Sequence, residues 1–198
     1  DPSIVLIASG LGVHNDYRRQ SPEWNQRVVE IAGSQFDLLD LHHYIPAAEP
    51  RAVIAMETTP LRQALLGSGM RLERYYAELR RLLSSKPEYQ HIKVVHYEWG
   101  VLPSNPSLGA RQTFFNALLT AEQYHAFFRN SDLVRGAMLH NFSFYVNPVP
   151  AHSEPPNPRT EVSRLYRAFA GTRLVKTAVS GPRYSVAKRY RDIGAVSD

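Results

Sequence analysis

The sequence predicts an α/β fold built from four strand–helix units, arranged as half of a (β/α)8 TIM barrel. Short apolar runs typical of buried parallel strands alternate with longer segments whose apolar residues recur at helical spacing. Such alternation produces a parallel sheet with right-handed crossover connections. A complete barrel needs about 250 residues, so a chain of 198 residues holds about half of one together with a tail.

The first strand–helix unit begins with an apolar run at 3–9, which has the pattern of a strand covered on both faces. Ser21 and Pro22 then supply an N-cap and a proline for the first turn of a helix of about four turns. The second strand is predicted at 36–43, where leucines surround two aspartates. The connection at 46–69 is too long for a turn and is typical of a loop that shapes a site.

The later units follow from the same two patterns. Apolar residues at i, i+3, i+4 and i+7 mark the helices, and short apolar runs mark the strands. A final short segment has the pattern of a strand that leaves the sheet. In chain order, the predicted elements are a helix at 70–83, a strand at 92–99, the longest helix at 114–128, a strand at 133–145, a helix at 161–170 and the departing strand at 174–184.

Composition excludes several classes of protein. A chain with 43% hydrophobic and 21% charged residues is globular, and no apolar run approaches the roughly 18 residues of a membrane span. The absence of cysteine excludes disulfides and a cysteine nucleophile. The net charge is +5, but the basic residues are scattered in short runs, so no nucleic-acid partner is predicted. No Gly-x-Gly-x-x-Gly or phosphate loop occurs, so no cofactor is predicted.

Polar side chains end three of the predicted strands, at 42–44, 96–99 and 140–141. In α/β barrels the catalytic groups lie at the carboxyl ends of strands. Because strand side chains alternate between faces, we expect His96 to share a face with Glu98, and His42 to share one with Tyr44. If these faces point inward, imidazole, phenol, carboxylate and amide groups converge, which suits the hydroxyls and C–H faces of a sugar.

The same residues also admit plainer interpretations. A strand-end glutamate such as Glu98 is often only solvated or ion-paired. Three strand-end histidines have the residue type of a zinc site, but no His-x-His or His-Glu-x-x-His motif accompanies them, so no metal is predicted. The large aromatic side chains are expected to pack in the core or between helices: Trp24, Phe114, Phe127 and Phe128.

Four segments, in order along nearly the whole chain, resemble the α-L-arabinofuranosidases of glycoside hydrolase family 51. They are Asp1-Pro2-Ser3-Ile4, Leu41-His42-His43-Tyr44, Tyr97-Glu98-Trp99-Gly100-Val101 and Phe128-Arg129-Asn130-Ser131-Asp132. The resemblance implies the second half of the catalytic barrel of a retaining glycosidase, followed by a β-sandwich. Residues 1–172 would form the half-barrel, and 173–198 would begin the linker and the β-sandwich domain.

The resemblance also implies roles for individual residues. Glu98, from the family's Glu-Trp pair at the end of strand seven, would be the nucleophile. His42, Tyr44, Trp99 and Asn141 would contact the substrate. The family's acid/base glutamate belongs to an Asn-Glu pair at the end of strand four, which would lie upstream of this chain. Because general acid catalysis contributes about 10²–10⁴-fold, the isolated chain is expected to be nearly inactive on unactivated glycosides.

The function that the resemblance implies is release of arabinofuranosyl residues from arabinose-containing oligo- or polysaccharides. Two alternatives stay open: a xylosidase or endoglucanase of the same clan, and a non-catalytic carbohydrate-binding or folding fragment. An open half-barrel exposes unpaired strand backbone, so we expect a partner, either the missing N-terminal half-barrel or a second copy in a homo-oligomer. The chain reads as a segment of a longer protein, which leaves cytoplasmic and secreted locations both open.

Overall fold

A computed structural model of the chain describes residues 3–12, 23–45, 65–101, 114–140 and 158–168, together with 171, 173–175, 177–178 and 180–182. Strands and helices alternate along these ranges. The strands are β1 (Ile7–Ser9), β2 (Leu38–Ile45), β3 (Lys93–Val101) and β4 (Val134–Leu139). The helices are α1 (Trp24–Ala32), α2 (Ser68–Leu83), α3 (Phe114–Arg129) and α4 (Pro158–Arg167), with short 3-10 helices at Gly33–Gln35 and Pro87–Tyr89.

The four strands form one parallel sheet in the order β1-β2-β3-β4. Each strand is followed in the chain by a helix, which confirms the predicted α/β class and the order of the four units. All carboxyl ends of the strands therefore lie at one edge of the sheet. No helix in the described part of the chain is long and apolar enough to cross a membrane.

The hydrophobic core lies between one face of the sheet and the helices. Leu39 and Leu41 of β2 pack there with Leu72 and Tyr76 of α2 and with Phe127 of α3, all almost completely buried. Each large apolar side chain buried in this way contributes about 1.5–3 kcal/mol to folding. The face of the sheet on which these helices pack is called the helix face below.

The opposite face, called the open face below, carries Asp40, His42 and Tyr44 at alternate positions of β2. The pairing register shifts between Asp40 and His42, and again between His96 and Trp99 of β3. As a result His96 and Trp99, three residues apart, are both buried against the helix-face ring of Phe127. The predicted shared face for His96 and Glu98 is therefore wrong, because an irregularity in β3 interrupts the two-residue alternation.

The first strand differs from its prediction. Only Ile7–Ser9 pairs with β2, and the apolar side chains before it are exposed: Ile4 by 60%, Val5 by 57% and Leu6 by 52%. The prediction of a strand covered on both faces is wrong within the described chain. The physical reason is that β1 lies at the end of the sheet, where the described core cluster reaches Ala8 but includes none of Ile4, Val5 and Leu6.

Two predictions about aromatic packing and helix length are also wrong. Helix α1 has nine residues, fewer than the predicted four turns, and it begins at Trp24 after Glu23. Trp24 and Phe114 are exposed, whereas Phe127 is buried and Phe128, although 37% exposed, packs between α3 and α4 against Tyr166, as predicted. A helix packed on one side of a sheet buries only one stripe of its surface, so aromatic residues outside that stripe face outward.

The carboxyl-terminal strand predicted at 174–184 is not formed at the positions that the structure describes there. Leu174 and Val175 are both exposed. An extended segment needs a neighbouring strand for its backbone hydrogen bonds, and the described sheet ends at β1 and β4. The domain boundary at 172/173 and the β-sandwich beyond it stay predictions. The predicted extension of β4 over 141–145 lies outside the described residues.

Candidate functional site

One carboxylate and three polar rings gather on the open face, at the carboxyl ends of the strands. Glu98 comes from β3, His42 and Tyr44 come from β2, and His140 directly follows β4. His42 pairs with Glu98 in the ladder of β2 and β3, which places the two side chains next to each other. The predicted shared face for His42 and Tyr44 agrees with this arrangement, because both side chains contact Glu98.

The two oxygens of Glu98 have different surroundings. Tyr44 donates its hydroxyl hydrogen to Oε2 at 2.7 Å, and Nδ1 of His42 lies 3.3 Å from the same oxygen. Nδ1 of His140 lies 3.5 Å from the other oxygen, Oε1. The side chain of Glu98 is 37% exposed. The hydroxyl of Tyr44 thus orients the carboxylate through Oε2.

Asp40 also belongs to this group of side chains, although the sequence analysis did not identify it as a site residue. Its Oδ1 accepts a hydrogen bond from the backbone N–H of Tyr97 at 3.0 Å, and its Oδ2 lies 3.3 Å from Nε2 of His42. Its side chain is only 12% exposed. The available signal was its position two residues before His42, which places both side chains on the same face of a strand.

The rings of Tyr44 and His140 also contact each other directly. Their centroids are 5.8 Å apart and the rings are nearly perpendicular, at 88°. An edge-to-face pair of this kind restricts both side chains. His140 therefore belongs to the site through both Tyr44 and Glu98, although the sequence had indicated only that it ends a strand.

Trp99 lies on the helix face and is not brought into this group. Its side chain has no exposed surface, and its ring packs edge-to-face on Tyr124 and Phe127, each at 5.1 Å. In this arrangement the side chain of Trp99 is part of the core. It has no exposed surface with which to make the substrate contact that was predicted for it. The physical reason is the strand itself, which sends the neighbours Glu98 and Trp99 to opposite faces.

Asn141, the remaining predicted substrate contact, lies outside the described residues, so its role stays a prediction. The three strand-end histidines are not brought together, because His96 is buried on the helix face while His42 and His140 lie on the open face. Within the described ranges, no group of three or more His, Cys, Asp and Glu side chains is arranged to hold a metal ion.

A buried polar layer lies behind the site, on the helix face. Nε2 of His43 is 2.6 Å from Oε1 of Gln123, whose amide nitrogen donates to Ser68. The hydroxyl of Tyr76 is 2.6 Å from Nε2 of His96. Burial lowers the pKa of His43 to about 4, and burial followed by the nearby His43 lowers the pKa of His96 to about 3. Both rings are therefore neutral at neutral pH.

The open face thus carries a partly exposed carboxylate with an O–H donor on one oxygen and imidazole rings beside it. A partly exposed carboxylate held in this way can attack an electrophilic carbon, accept a proton or bind a hydroxyl group. The open face provides hydrogen-bonding groups around it, and the helix face provides a rigid, packed support.

No protein-family model and no curated protein matches the chain. Solved structures do match. An α-L-arabinofuranosidase from Thermotoga maritima, solved as an arabinose complex, is 22% identical with a TM-score of 0.63, and the match covers 93% of this chain and 36% of that one. A family 51 α-L-arabinofuranosidase from Bifidobacterium longum is 18% identical with a TM-score of 0.52, covering 71% and 30%.

At these identities the likeness is one of fold. The parallel four-stranded sheet with alternating helices is an α/β fragment that resembles part of the fold of these arabinofuranosidases. The chain spans about a third of the length of the solved structures that it matches.

Proposed function

We propose that this chain is the nucleophile-bearing part of a retaining glycoside hydrolase that releases terminal α-L-arabinofuranosyl residues from arabinose-containing oligo- or polysaccharides. The observation that carries the proposal is Glu98, held at the strand ends by Tyr44 and flanked by His42. The likeness of fold to two arabinofuranosidases supports the glycosidase class and this choice of sugar.

In this proposal Glu98 attacks the anomeric carbon of the sugar. Oε2 already accepts the hydroxyl of Tyr44, so Oε1 forms the new bond. The bond between the anomeric carbon and the leaving oxygen breaks, and its electron pair stays on that oxygen, which takes a proton from an acid. Water then hydrolyses the glycosyl–enzyme ester and the configuration is retained.

The acid must be a second carboxyl group about 5–5.5 Å from the nucleophile. Asp40 is unsuited to this role, because it is largely buried, accepts the N–H of Tyr97 and contacts His42. We propose that the acid comes from the other half of the barrel, as the resemblance to the family implies. His42 and Tyr44, with Asn141, would bind the sugar, since their groups hydrogen-bond hydroxyls.

The test uses a leaving group that departs without an acid. 2,4-Dinitrophenyl 2-deoxy-2-fluoro-α-L-arabinofuranoside needs no protonation, and its fluorine slows hydrolysis of the ester intermediate. Incubated with the 198-residue chain, this compound is expected to release one equivalent of dinitrophenolate. Intact mass spectrometry and peptide mapping are expected to find the sugar on Glu98.

Two variants control this labelling experiment. Glu98→Gln removes the nucleophile and is expected to abolish both the burst and the adduct. Glu88→Gln removes an exposed glutamate elsewhere in the chain and is expected to leave both unchanged. Labelling that persists in Glu98→Gln would remove the nucleophile assignment. Faster labelling by the matched fluoroxyloside or fluoroglucoside would move the proposal to a xylosidase or endoglucanase of the same clan.

One observation supports the second candidate function, which is that of a folding or carbohydrate-binding fragment that acts only within an assembly. Ile4, Val5 and Leu6 expose apolar surface beside β1, at the end of the described sheet. Exposed apolar segments next to a strand edge favour pairing with another chain. We propose that this edge meets the missing half-barrel or, in the chain alone, a second copy.

Size-exclusion chromatography with light scattering tests this edge. The chain is expected to associate increasingly as its concentration rises, and Val5→Lys, which adds a charge to the exposed segment, is expected to reduce association. Ile31→Lys is the matched control, because Ile31 is also exposed but belongs to helix α1 and not to the segment beside β1. A monomer at every concentration would instead indicate a self-sufficient module.

A further inference from the structure

Strand β3 has one more residue than β2 or β4 in the stretch that leads to Glu98. Two residues of β3 lie opposite Leu41 of β2, and two lie opposite Met138 of β4. Tyr97 is a member of both sets of two. An extra residue on one strand of a ladder is a β-bulge, which proteins use beside functional sites to re-aim a side chain. Tyr97 is therefore the bulged residue of β3.

The bulge decides which face of the sheet Glu98 occupies. His96 is buried on the helix face, and strict alternation from there would turn Glu98 to the helix face and Trp99 to the open face. The structure shows the reverse, because Trp99 is buried against a helix-face ring and Glu98 accepts the hydroxyl of Tyr44. One extra residue resets the alternation in this way. The contact between Glu98 and Tyr44 thus depends on the bulge.

The backbone N–H of the bulged residue finds its acceptor in a side chain of β2. A bulge leaves its extra residue without a ladder partner, and a backbone N–H away from water is costly unless another group accepts it. The N–H of Tyr97 donates to Oδ1 of Asp40 at 3.0 Å. The side chain of Asp40 is only 12% exposed, so little water competes for this oxygen. Asp40 therefore supplies the acceptor that the bulge needs.

We infer that Asp40 is a positioning residue, which holds the bulge at Tyr97 and thereby sets Glu98 on the open face beside Tyr44. Asp40 acts through the backbone of β3 and not on the sugar. The catalytic meaning of this arrangement rests on the proposed function, whereas the support that Asp40 gives to the bulge does not.

Amide hydrogen exchange, followed residue by residue by NMR, tests the hydrogen bond in the full 198-residue chain. The amide of Tyr97 is expected to be protected, and Asp40→Ala is expected to speed its exchange about 10-fold, as for the loss of one hydrogen bond. Val94, whose N–H donates to Leu133 at 2.9 Å, is the internal reference and is expected to keep its rate. An unprotected Tyr97 amide in the unsubstituted chain would overturn the inference without any variant.

Two variants separate the lost acceptor from other effects of the substitution. Asp40→Asn keeps an oxygen that can accept the N–H of Tyr97, so it is expected to restore protection. Asp37→Ala is the matched control, because Asp37 also accepts a backbone N–H, that of Leu6 at 2.9 Å, but is exposed and lies just before β2. It is expected to leave the exchange of Tyr97 unchanged. Loss of protection in Asp37→Ala, or in Asp40→Asn as fully as in Asp40→Ala, would contradict the inference.

Deletion of Tyr97 tests whether Asp40 acts through the bulge. Without the extra residue, regular alternation from His96 again places Glu98 on the open face, and no freed N–H needs Asp40. Asp40→Ala is therefore expected to lower the folding equilibrium constant about 10-fold in the full chain and to leave it unchanged in the chain that lacks Tyr97. Urea unfolding followed by circular dichroism measures both. Equal losses in the two backgrounds would show that Asp40 acts by another route.

The labelling assay distinguishes failure of this inference from failure of the proposed function. Asp40→Ala is expected to slow the attachment of the fluorinated sugar to Glu98 about 10-fold, and Asp40→Asn to restore the rate. A full rate in Asp40→Ala would remove the positioning role, and a Tyr97 amide that stays protected there would do so even when Glu98 is labelled. If exchange and deletion respond as expected and no sugar is attached, the inference stands and the glycosidase proposal fails.

Discussion

The two faces of the sheet use the same residue types in opposite ways, and β2 shows this at two consecutive residues. His42 faces outward between Asp40 and Glu98, where both neighbours are acidic. His43 faces the helices, is 1% exposed and has the amide of Gln123 as its partner. Burial lowers the pKa of His43 to about 4. The surroundings of a histidine therefore depend on its face, because His42 lies beside two carboxyl groups and partly in solvent whereas His43 is enclosed by packed side chains.

The same contrast occurs on β3 between Glu98 and Trp99. Glu98 is partly exposed and contacts polar groups, whereas Trp99 is completely buried between aromatic rings. A pair adjacent in sequence is thus divided between a candidate site and a core. This division predicts that substitutions on one face change chemistry and that substitutions on the other change stability.

The largest expected effect is on the helix face. Trp99→Ala removes a fully buried aromatic side chain, so the free energy of unfolding is expected to fall by about 3–5 kcal/mol. Glu98→Ala, one residue away on the open face, is expected to change it by less than about 1 kcal/mol. Urea unfolding at pH 7 followed by circular dichroism measures both. Equal losses of unfolding free energy in the two variants would show that the two faces do not differ in their contribution to stability.

A smaller effect is expected from pH. The folded-state pKa values of His43 and His96, about 4 and about 3, lie below the ordinary histidine value of 6.5. At these two sites the unfolded chain binds more protons below pH 6.5, which lowers stability as the pH drops. Glu122 opposes this loss, because burial raises its pKa to about 8 and the folded chain therefore holds a proton there that the unfolded chain releases. Between pH 7 and pH 5 each histidine is expected to remove about 2 kcal/mol from the free energy of unfolding.

Two variants sharpen this pH prediction. His43→Gln removes one of the two buried rings and is expected to make the change in unfolding free energy from pH 7 to pH 5 less unfavourable by about 2 kcal/mol. His91→Gln replaces an exposed histidine and is expected to keep the full slope. Urea unfolding at half-unit steps of pH gives the slopes. A slope that His43→Gln leaves intact would show that other groups cause the acid sensitivity.

Much of the fold was predictable because it depends on local pattern. The order of strands and helices follows from apolar periodicity, and the ends of α2 and α3 lie within two residues of their predicted positions. Exposure was less predictable. The run at Ile4–Leu6 has the same apolar composition as a buried strand, and only its place at the end of the sheet leaves it uncovered.

The candidate site was predicted in part. Glu98, His42 and Tyr44 were placed together from strand ends and strand alternation, and their contacts in the structure agree with that placement. Alternation failed at His96, because the register of β3 shifts between His96 and Trp99. A register shift depends on how two strands pair, so no window of sequence around either residue contains it.

Taken alone, the amino-acid sequence determined the α/β class, the order of its elements and the polar ends of its strands, since these depend on residue type and on spacing within one segment. Only the tertiary structure decided that Asp40 and His140 join Glu98, that Trp99 and His96 are buried on the helix face, and that β1 is left exposed. These outcomes depend on contacts between segments that are far apart in the chain. Strand register and the order of strands in the sheet determine which side chains come into contact.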